Sequence, residues 1–139
     1  MEHQIFTWGY GNRPIAALDA LLAEHPKGVV IDTRISAKNA WTASYTRTSL
    51  EKRLGGFYMY EGHFFGNNAR KEPGPVQWMP PVELATVDAE LAIIKRSLDS
   101  TDSTPIFMCC EMDWRKCHRQ FVAARAVEVA WIGFDIVHL

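Results

Sequence analysis

The sequence predicts an α/β fold, formed by one three-layer domain over residues 1–139. Short apolar runs alternate with longer stretches of helical periodicity, which is typical of a mainly parallel sheet with helices on both faces. The run over residues 29–31 is continuously β-branched, as expected of a strand buried on both sides. A chain of 139 residues fits a single domain. We therefore expect a Rossmann-like domain with about four to five strands.

Five short apolar segments are the predicted strands. Each is bounded by residues that favour turns, such as the Gly9-Tyr10-Gly11-Asn12 segment after the first one. The predicted strands cover residues 5–8, 29–31, 57–60, 105–108 and 134–138.

Helical spacing of apolar residues predicts the elements between the strands. Pro14 opens the first helix, and His25-Pro26 ends it. The clearest stripe, spaced 3, 4, 3 and 4 residues apart, consists of Leu84, Val87, Leu91, Ile94 and Leu98. The helices after the first are predicted over residues 44–53, from Pro81 through 98, and over 115–131, with Gly133 as the last terminator.

Residues 61–80 are rich in Gly, Asn and Pro, which predicts a long irregular loop. Aromatic side chains in and before this loop are of the kind that stacks on nucleobases. They include Phe57, Tyr58, Tyr60, Phe64, Phe65 and Trp78, with His63 beside them. We favour packing onto the domain instead, because the net charge of -1 gives nucleic acid no electrostatic support.

Composition and charge limit the classes of protein to which the chain can belong. Fifteen basic and sixteen acidic residues exclude a bulk basic field, so a nucleic-acid partner is only weakly supported. No apolar run has the length of a signal peptide or a membrane span. Three cysteines within nine residues are a poor disulfide framework and suit a reducing compartment. We expect a cytoplasmic protein with no membrane partner, and its oligomeric state stays open.

Ligands of open α/β sheets bind outside the carboxyl ends of the strands. Three predicted segments end there, over residues 7–12, 32–34 and 109–119. From the first two segments, the predicted substrate-binding residues are Thr7, Gly9, Tyr10 and Arg34. Asp32 is either an acid/base carboxylate or the salt-bridge partner of Arg34.

Residues 109–119 are the richest of these segments. A thiol near a helix N-terminus and flanked by His and Arg has a lowered pKa, which favours Cys117 as a nucleophile. Cys109 is the other candidate nucleophile, because its C-x5-R spacing to Arg115 is that of a loop that can wrap an oxyanion. The other candidates are Glu111 and His118 as catalytic groups, with Arg115 and Arg119 as anion-binding groups. The alternative is structural: cysteines are often core residues, and His118 and Arg119 are then solvated surface groups.

Cofactor and metal sites have weaker sequence support. Pro14 stands where the dinucleotide fingerprint needs Gly or Ala, and the P-loop motif is missing. Four possible zinc ligands are present, namely Cys109, Cys110, Cys117 and His118. They form adjacent pairs without the familiar two-residue spacer. We therefore expect no cofactor and no metal.

These landmarks resemble the domain of unknown function 488 family. Cys109-x-Glu111 followed by Cys117-His118-Arg119 resembles its C-x-E and C-H-R signature, and residues 30–34 resemble its D-x-R strand end. Leu54-Gly55-Gly56 is similar to its mid-chain L-G-G, and residues 7–10 to its opening turn, although Tyr10 replaces a usual His and Gly11 a usual Ser. The resemblance implies a compact α/β domain of unestablished activity. The general plan is also similar to rhodanese-type domains, by analogy of fold alone.

The sequence thus predicts an enzyme that acts on a small anionic or nucleotide-like substrate, with its reaction class open. A thiol-based transferase or hydrolase fits the candidate residues. A non-catalytic module that binds nucleotide or nucleic acid is the first alternative, and a structural or partner-binding protein is the second.

Overall fold

The protein is described by a computed structural model over residues 3–37, 43–70 and 72–139. Met1 and Glu2 at the start of the sequence, and Lys71 of the predicted loop, lie outside the described residues. The predicted α/β class is confirmed. Five parallel strands form one sheet in the order β3-β2-β4-β1-β5. The strands are β1 (Gln4–Gly9), β2 (Gly28–Asp32), β3 (Tyr58–Tyr60), β4 (Thr104–Cys109) and β5 (Asp135–His138).

Five α-helices connect and cover these strands. They are α1 (Ile15–Glu24), α2 (Arg47–Leu54), α3 (Gly62–Phe65), α4 (Leu84–Ser100) and α5 (Arg119–Val129). Short 3-10 turns precede or follow some of them, over Ala43–Tyr45, Gly55–Phe57 and Trp114–Lys116. The predicted start at Pro14 holds, since Pro14 is the residue that caps α1 and His25 closes its other end.

The centre of the sheet is β4, which pairs with β2 on one side and with β1 on the other. Every residue of β2 is buried, as its β-branched sequence predicts. The register aligns Asp32 with Met108, and Gly9 with Cys109, so three strands finish at the same edge. This edge is where the candidate segments were expected.

One face of the sheet packs against α1 and α2. Leu18 and Leu21 of α1 and Leu50 of α2 meet Val30, Met108 and other inward side chains of the strands. This layer also contains aromatic rings, namely Trp8, Tyr10, Tyr45 and Tyr58.

The opposite face packs against α3, α4 and α5. The predicted stripe of α4 is confirmed from Val87 onward, because Val87, Leu91, Ile94 and Leu98 are all buried there. Leu84, the first residue of the predicted stripe, is exposed. Helix α5 contributes Val122, Ala123 and Ala126 to this layer. Helices therefore cover both faces of the sheet.

Two helices begin later than predicted. The helix expected over residues 44–53 begins only at Arg47, because Thr46 adopts an extended backbone and caps it by accepting a hydrogen bond from the Ser49 N–H. The helix expected from Pro81 begins at Leu84.

The loop predicted over residues 61–80 contains one helical turn, α3. Phe65 is fully buried against the sheet, which fixes this turn in place. Gly62 and Gly66 allow it to approach the chain after β2: a β-carbon on Gly62 would lie 1.8 Å from the Arg34 carbonyl oxygen. Packing of the aromatic side chains is confirmed for Tyr58 and Phe65, which are buried, and for Tyr60, Phe64 and Trp78, which pack partly buried against the core. Phe57 is the exception, since it is 54% exposed.

The helix predicted over residues 115–131 is interrupted. A 3-10 turn over Trp114–Lys116 ends at Cys117, whose backbone is extended (φ -125°, ψ 141°), and α5 starts at Arg119. Cys117 therefore lies just before the helix rather than in its first turn. The helix also ends at Val129, before the predicted terminator Gly133, because Trp131 leaves the helical path and is buried in the core.

Among the residues that the structure describes, no helix combines the length and the apolar character needed to cross a membrane.

Candidate functional site

The three predicted segments do meet at the carboxyl edge of the sheet. Backbone pairing continues beyond the strands, since the Tyr10 N–H donates to the Cys109 carbonyl at 3.2 Å and the Gly11 N–H to the Cys110 carbonyl at 2.7 Å. On the other side of β4, the Thr33 N–H donates to the Met108 carbonyl at 2.9 Å. The backbones are brought together as expected, so the directions of the side chains decide which of them form a site.

Strand alternation divides the candidate side chains between two faces. The Asp32 side chain points to the same face of the sheet as Val30, two residues before it. This face packs against α1 and α2 and also holds Tyr58 and Tyr10. Cys109 alternates with Met108 and points to the side of α5. Asp32 and Cys109 thus end adjacent strands but belong to separate clusters.

The cluster on the α5 side consists of two thiols and an imidazole. A ligating atom from each of Cys109, Cys117 and His118 lies within 4.8 Å of the other two. The distance between Cys117 Sγ and His118 Nδ1 is 3.9 Å. All three residues are buried, while the neighbouring Cys110 is exposed. We call this set the thiol cluster.

Backbone carbonyls determine which nitrogen of His118 faces the sulfurs. His118 Nε2 lies 2.8 Å from the Phe65 carbonyl oxygen and 3.1 Å from that of Thr33. Carbonyl oxygens only accept hydrogen bonds, so Nε2 must carry a proton. In the neutral ring, Nδ1 is then the acceptor, and it faces the thiol of Cys117. The imidazole is therefore oriented to take a proton from sulfur.

The surroundings of Cys117 favour its thiolate. Its Sγ accepts a hydrogen bond from the Arg119 N–H, 3.4 Å away, at the start of α5. Hydrogen bonding to Cys109 lowers the pKa of the Cys117 thiol, burial raises it, and the Arg119 N–H and charge lower it again, so that the net shift is downward. A thiolate near a helix N-terminus and a cation is the form expected of a reactive cysteine.

His118 has the complementary tendency. Burial lowers the pKa of its ring, but hydrogen bonding and charge at Cys109, together with the carbonyls of Thr33 and Phe65, outweigh burial and raise it. A lowered thiol pKa and a raised imidazole pKa narrow the gap between the two groups, so proton transfer from sulfur to nitrogen costs less than it does between the free side chains.

The cluster on the opposite face is a buried ion pair. Arg34 Nε and Nη2 donate to the two oxygens of Asp32 at 2.9 and 2.7 Å, and the Tyr58 hydroxyl donates to Asp32 Oδ2 at 2.5 Å. Arg34 Nη1 donates to the Tyr10 hydroxyl at 3.1 Å. Both Asp32 and Arg34 therefore have their charges matched inside the fold, and the geometry favours the salt-bridge interpretation of this pair.

Arg119 holds the loop that follows β4. Its guanidinium is fully buried; Nη1 donates to the Glu111 carbonyl and Nη2 to the Met112 carbonyl, the latter at 3.1 Å. A β-carbon on Gly9 would lie 1.8 Å from the Glu111 carbonyl oxygen, so glycine is needed there for the loop to pass. The Glu111 carboxylate accepts from the Asp113 N–H at 3.3 Å. Arg119, Gly9 and Glu111 thus shape the loop beside the thiol cluster.

The remaining candidates lie at different places. The Arg115 side chain is 73% exposed and approaches Asp113 Oδ1 at 3.7 Å. Thr7 Oγ1 lies 2.6 Å from Nδ1 of His138, the β5 residue opposite it in the register. Arg115 is therefore the predicted arginine that is accessible to an incoming anion, whereas Thr7 joins two strands.

The thiol cluster also has the composition of a partial zinc site. Two thiols and one imidazole nitrogen are three of the four ligands that a tetrahedral zinc ion takes. These three residues therefore converge although their sequence spacing lacks the usual two-residue spacer. Cys110, the fourth candidate, is exposed and is not part of the set. Among the residues that the structure describes, three such ligands lie within 4.8 Å of one another. The expectation that the protein holds no metal stays a prediction.

Access to the thiol cluster is narrow. Cys109 keeps 6% of its surface exposed and Cys117 3%. A surface cavity of about 270 Å³ lies elsewhere, between α1 and the end of the chain, and Trp8, Arg13, Leu21 and Leu139 are among its walls. Cys109, Cys117 and His118 are not among the residues that line this cavity.

Sequence reasoning missed the groups that orient the site. The carbonyls of Thr33 and Phe65 hold His118, but a backbone carbonyl has no signature in the sequence. The G-x-x-x-G spacing of Gly62 and Gly66 was an available signal, because close approach of α3 to the chain after β2 needs both. Tyr58, which donates to Asp32, was interpreted only as an aromatic packing residue.

No family model, no curated protein and no solved structure matches this chain, so the site is defined by its own geometry.

Proposed function

We propose that this chain is a cytoplasmic enzyme that uses Cys117 as a nucleophile on a small anionic or nucleotide-like substrate. The observation that supports it best is the orientation of His118. Two carbonyls hold its Nε2–H, which leaves Nδ1 as the acceptor 3.9 Å from the Cys117 sulfur. A nucleophile, a base in reach and a third group that orients the base is the pattern of activated nucleophiles.

The reaction follows from these positions. His118 Nδ1 takes the proton of the Cys117 thiol, and the sulfur forms a bond to the electrophilic centre of the substrate. The bond from that centre to the leaving group breaks with its electron pair, and His118 returns the proton to the leaving group. A second acceptor then displaces the Cys117 sulfur and completes the transfer.

The arginines have separate roles in this proposal. Arg115 is the anion-binding group, because its side chain is 73% exposed and lies two residues before Cys117. Arg34 and Arg119 are positioning residues, since their guanidinium groups donate to Asp32 and to the loop carbonyls. Asp32 stabilises the edge of the sheet without contacting the substrate.

The resemblance to the domain of unknown function 488 family is retained as a proposal. Its C-x-E and C-H-R positions correspond to residues that shape or form the thiol cluster, namely Cys109, Glu111, Cys117, His118 and Arg119.

Site-resolved alkylation tests the proposal. Folded protein is treated with iodoacetamide at neutral pH, and mass spectrometry measures labelling at each cysteine, with single Cys→Ser variants of all three thiols. We expect Cys117 to be labelled, and His118→Asn to slow its labelling roughly tenfold, equivalent to about one pKa unit. Circular dichroism shows whether each variant folds.

Cys110→Ser is the matched control, since Cys110 is adjacent to the cluster, exposed and assigned no role. Labelling of Cys110 alone, with Cys117 and Cys109 inert in the folded protein, would overturn the proposal. The non-catalytic binding module would then be the better hypothesis.

A further inference from the structure

The thiol cluster contains one sulfur more than a single nucleophile requires. Cys109 Sγ lies within 4.8 Å of the Cys117 sulfur, and hydrogen bonding between them lowers the pKa of the Cys117 thiol. The two residues are eight positions apart in sequence but come from different elements, the end of β4 and the segment before α5. A second thiol at this distance is placed to attack the Cys117 sulfur of a mixed disulfide and to displace the group bonded to it.

The two cysteines lie in different kinds of local structure. Cys109 is the last residue of the central strand and is paired with Gly9 in the register. Cys117 lies between the 3-10 turn and α5, with an extended backbone that belongs to neither helix. A disulfide needs the sulfurs to approach to about 2.05 Å. To form one, the Cys109 and Cys117 sulfurs, which lie within 4.8 Å of each other, would have to close this gap.

We propose that the thiol cluster carries out thiol–disulfide exchange with small anionic disulfides, with Cys117 as the attacking thiol and Cys109 as the resolving thiol. This inference rests on the proposed role of Cys117 as the nucleophile. It adds the substrate class and the partner thiol.

The exchange has two steps. The Cys117 thiolate attacks one sulfur of the substrate disulfide, the substrate S–S bond breaks, and the first half leaves as a thiolate that takes up a proton. Cys109 then loses its proton, and its thiolate attacks the Cys117 sulfur of the mixed disulfide. The second half leaves as a thiol, and a Cys109–Cys117 disulfide remains. The substrate disulfide is reduced by two electrons, the protein dithiol is oxidised by two, and a second thiol compound restores the dithiol.

Charge beside Cys117 supports the anionic class of the substrate. Arg115 and Lys116 immediately precede it and are both exposed. Asp113 lies 3.7 Å from the Arg115 guanidinium, and the Glu111 carboxylate is in the same loop, so these two acidic groups offset part of this charge. His118, with its raised pKa, adds positive charge when protonated. An anionic disulfide is therefore attracted and a cationic one repelled.

The test uses oxidised glutathione as the anionic probe and cystamine as the cationic probe, with intact-mass and peptide mapping. In the wild type we expect loss of two hydrogens, a Cys109–Cys117 disulfide and no lasting adduct. Cys109→Ser should retain glutathione on Cys117, and Cys117→Ser should form neither product. Cys110→Ser should behave as the wild type. Oxidised glutathione should react at least several-fold faster than cystamine at low salt.

Each failure has a distinct result. A stable glutathione adduct on Cys117 of the wild type, or a disulfide that includes Cys110, would overturn the inference and leave Cys117 a nucleophile. Faster reaction with cystamine would overturn the anionic class. Inertness of Cys117 towards both disulfides and iodoacetamide would overturn the proposed function itself. If Cys109→Ser does not fold, Cys109→Ala provides the same trapping test.

Discussion

The carboxylate of Asp32 accepts hydrogen bonds from the Arg34 backbone N–H, Arg34 Nε, Arg34 Nη2 and the Tyr58 hydroxyl. These four donors match the lone-pair sites that a carboxylate offers. Asp32 is fully buried and Arg34 nearly so. A side chain satisfied in this way has little capacity for substrate, and its removal is expected to affect the fold before the chemistry.

Replacing Asp32 tests this role. Asp32→Asn leaves the Arg34 charge buried without its partner, so we expect a loss of about 3–5 kcal/mol in the free energy of unfolding. Denaturant melts measure it. Asp102→Asn is the matched control, because the Lys27–Asp102 pair is exposed and screened by solvent, and we expect little change. A loss no larger than that of the control would show that the buried pair does not stabilise the fold.

The composition of the thiol cluster makes metal content a decisive measurement. Three donors converge there, while Cys110, the fourth candidate in the sequence, is exposed. We predict that protein purified without chelator contains zinc well below one ion per chain. Elemental analysis measures this ratio. One zinc per chain would assign Cys109, Cys117 and His118 as its ligands and would remove the free thiols on which the proposed function depends.

Single residues of the site were predictable where the residue type alone indicates its chemistry. Cys117 and His118 were found because thiol, imidazole and arginine are adjacent in sequence. The separation of Asp32 from Cys109 was not found, because side-chain direction depends on the register, which aligns Asp32 with Met108 rather than with Cys109. The carbonyls that orient His118 belong to residues distant in sequence and have no signature.

The longest helix, α4, follows from its apolar spacing. Leu91 is fully buried against the sheet, and Leu91→Ala is therefore expected to cost about 2–5 kcal/mol of stability. Ile93, on the same helix, is 50% exposed, and Ile93→Ala should change the stability by no more than about 0.5 kcal/mol. Denaturant melts of both variants measure the difference. Equal losses, or a Leu91→Ala loss well under 1 kcal/mol, would contradict this packing.

The interrupted helix after β4 shows where periodicity is insufficient. The helical spacing of residues 115–131 carries no mark of the break at Cys117. The break has a tertiary cause: His118 turns to the carbonyls of Thr33 and Phe65, and Arg119 turns to those of Glu111 and Met112. Long-range partners such as these override local propensity. The same break places Cys117 beside Cys109 instead of inside a helix.

At the scale of the molecule, the fold class and the edge that holds the candidate segments were predictable from the alternation of elements. The strand order was not predicted, because the chain leaves β1, forms β2 and β3, and only then inserts β4 between β1 and β2. This insertion places Cys109 at the centre of the edge, with the chain after β2 on one side and Gly9 on the other. The site therefore depends on the whole sheet.

The stability of the fold should depend on pH through one carboxyl group near this edge, that of Glu61. Burial, with hydrogen bonding and charge repulsion at Glu90, raises the pKa of Glu61 from 4.5 to about 9. The folded state then holds a proton that the unfolded state releases. The stabilisation is fully present below about pH 4.5 and is lost as the pH rises towards 9.

Thermal melts at several pH values measure this effect. Between pH 5 and 9, Glu61→Gln should lose less stability than the wild type, because glutamine has no proton to release. Glu72→Gln, which changes an exposed carboxyl group, should follow the wild type. Parallel curves for the wild type and Glu61→Gln would contradict the raised pKa.

The pH dependence of alkylation at each cysteine tests the thiol cluster most directly. The midpoint of the rate against pH reports the pKa of a thiol independently of how accessible it is, and Cys110 provides an internal control in the same molecule. Hydrogen bonding to Cys109 raises the pKa of the Cys110 thiol, whereas the pKa of Cys117 is lowered. We predict a midpoint for Cys117 below the value of about 8.5 for free cysteine, and one for Cys110 above it. A Cys117 midpoint at or above that of Cys110 would contradict the assignment of Cys117 as the nucleophile.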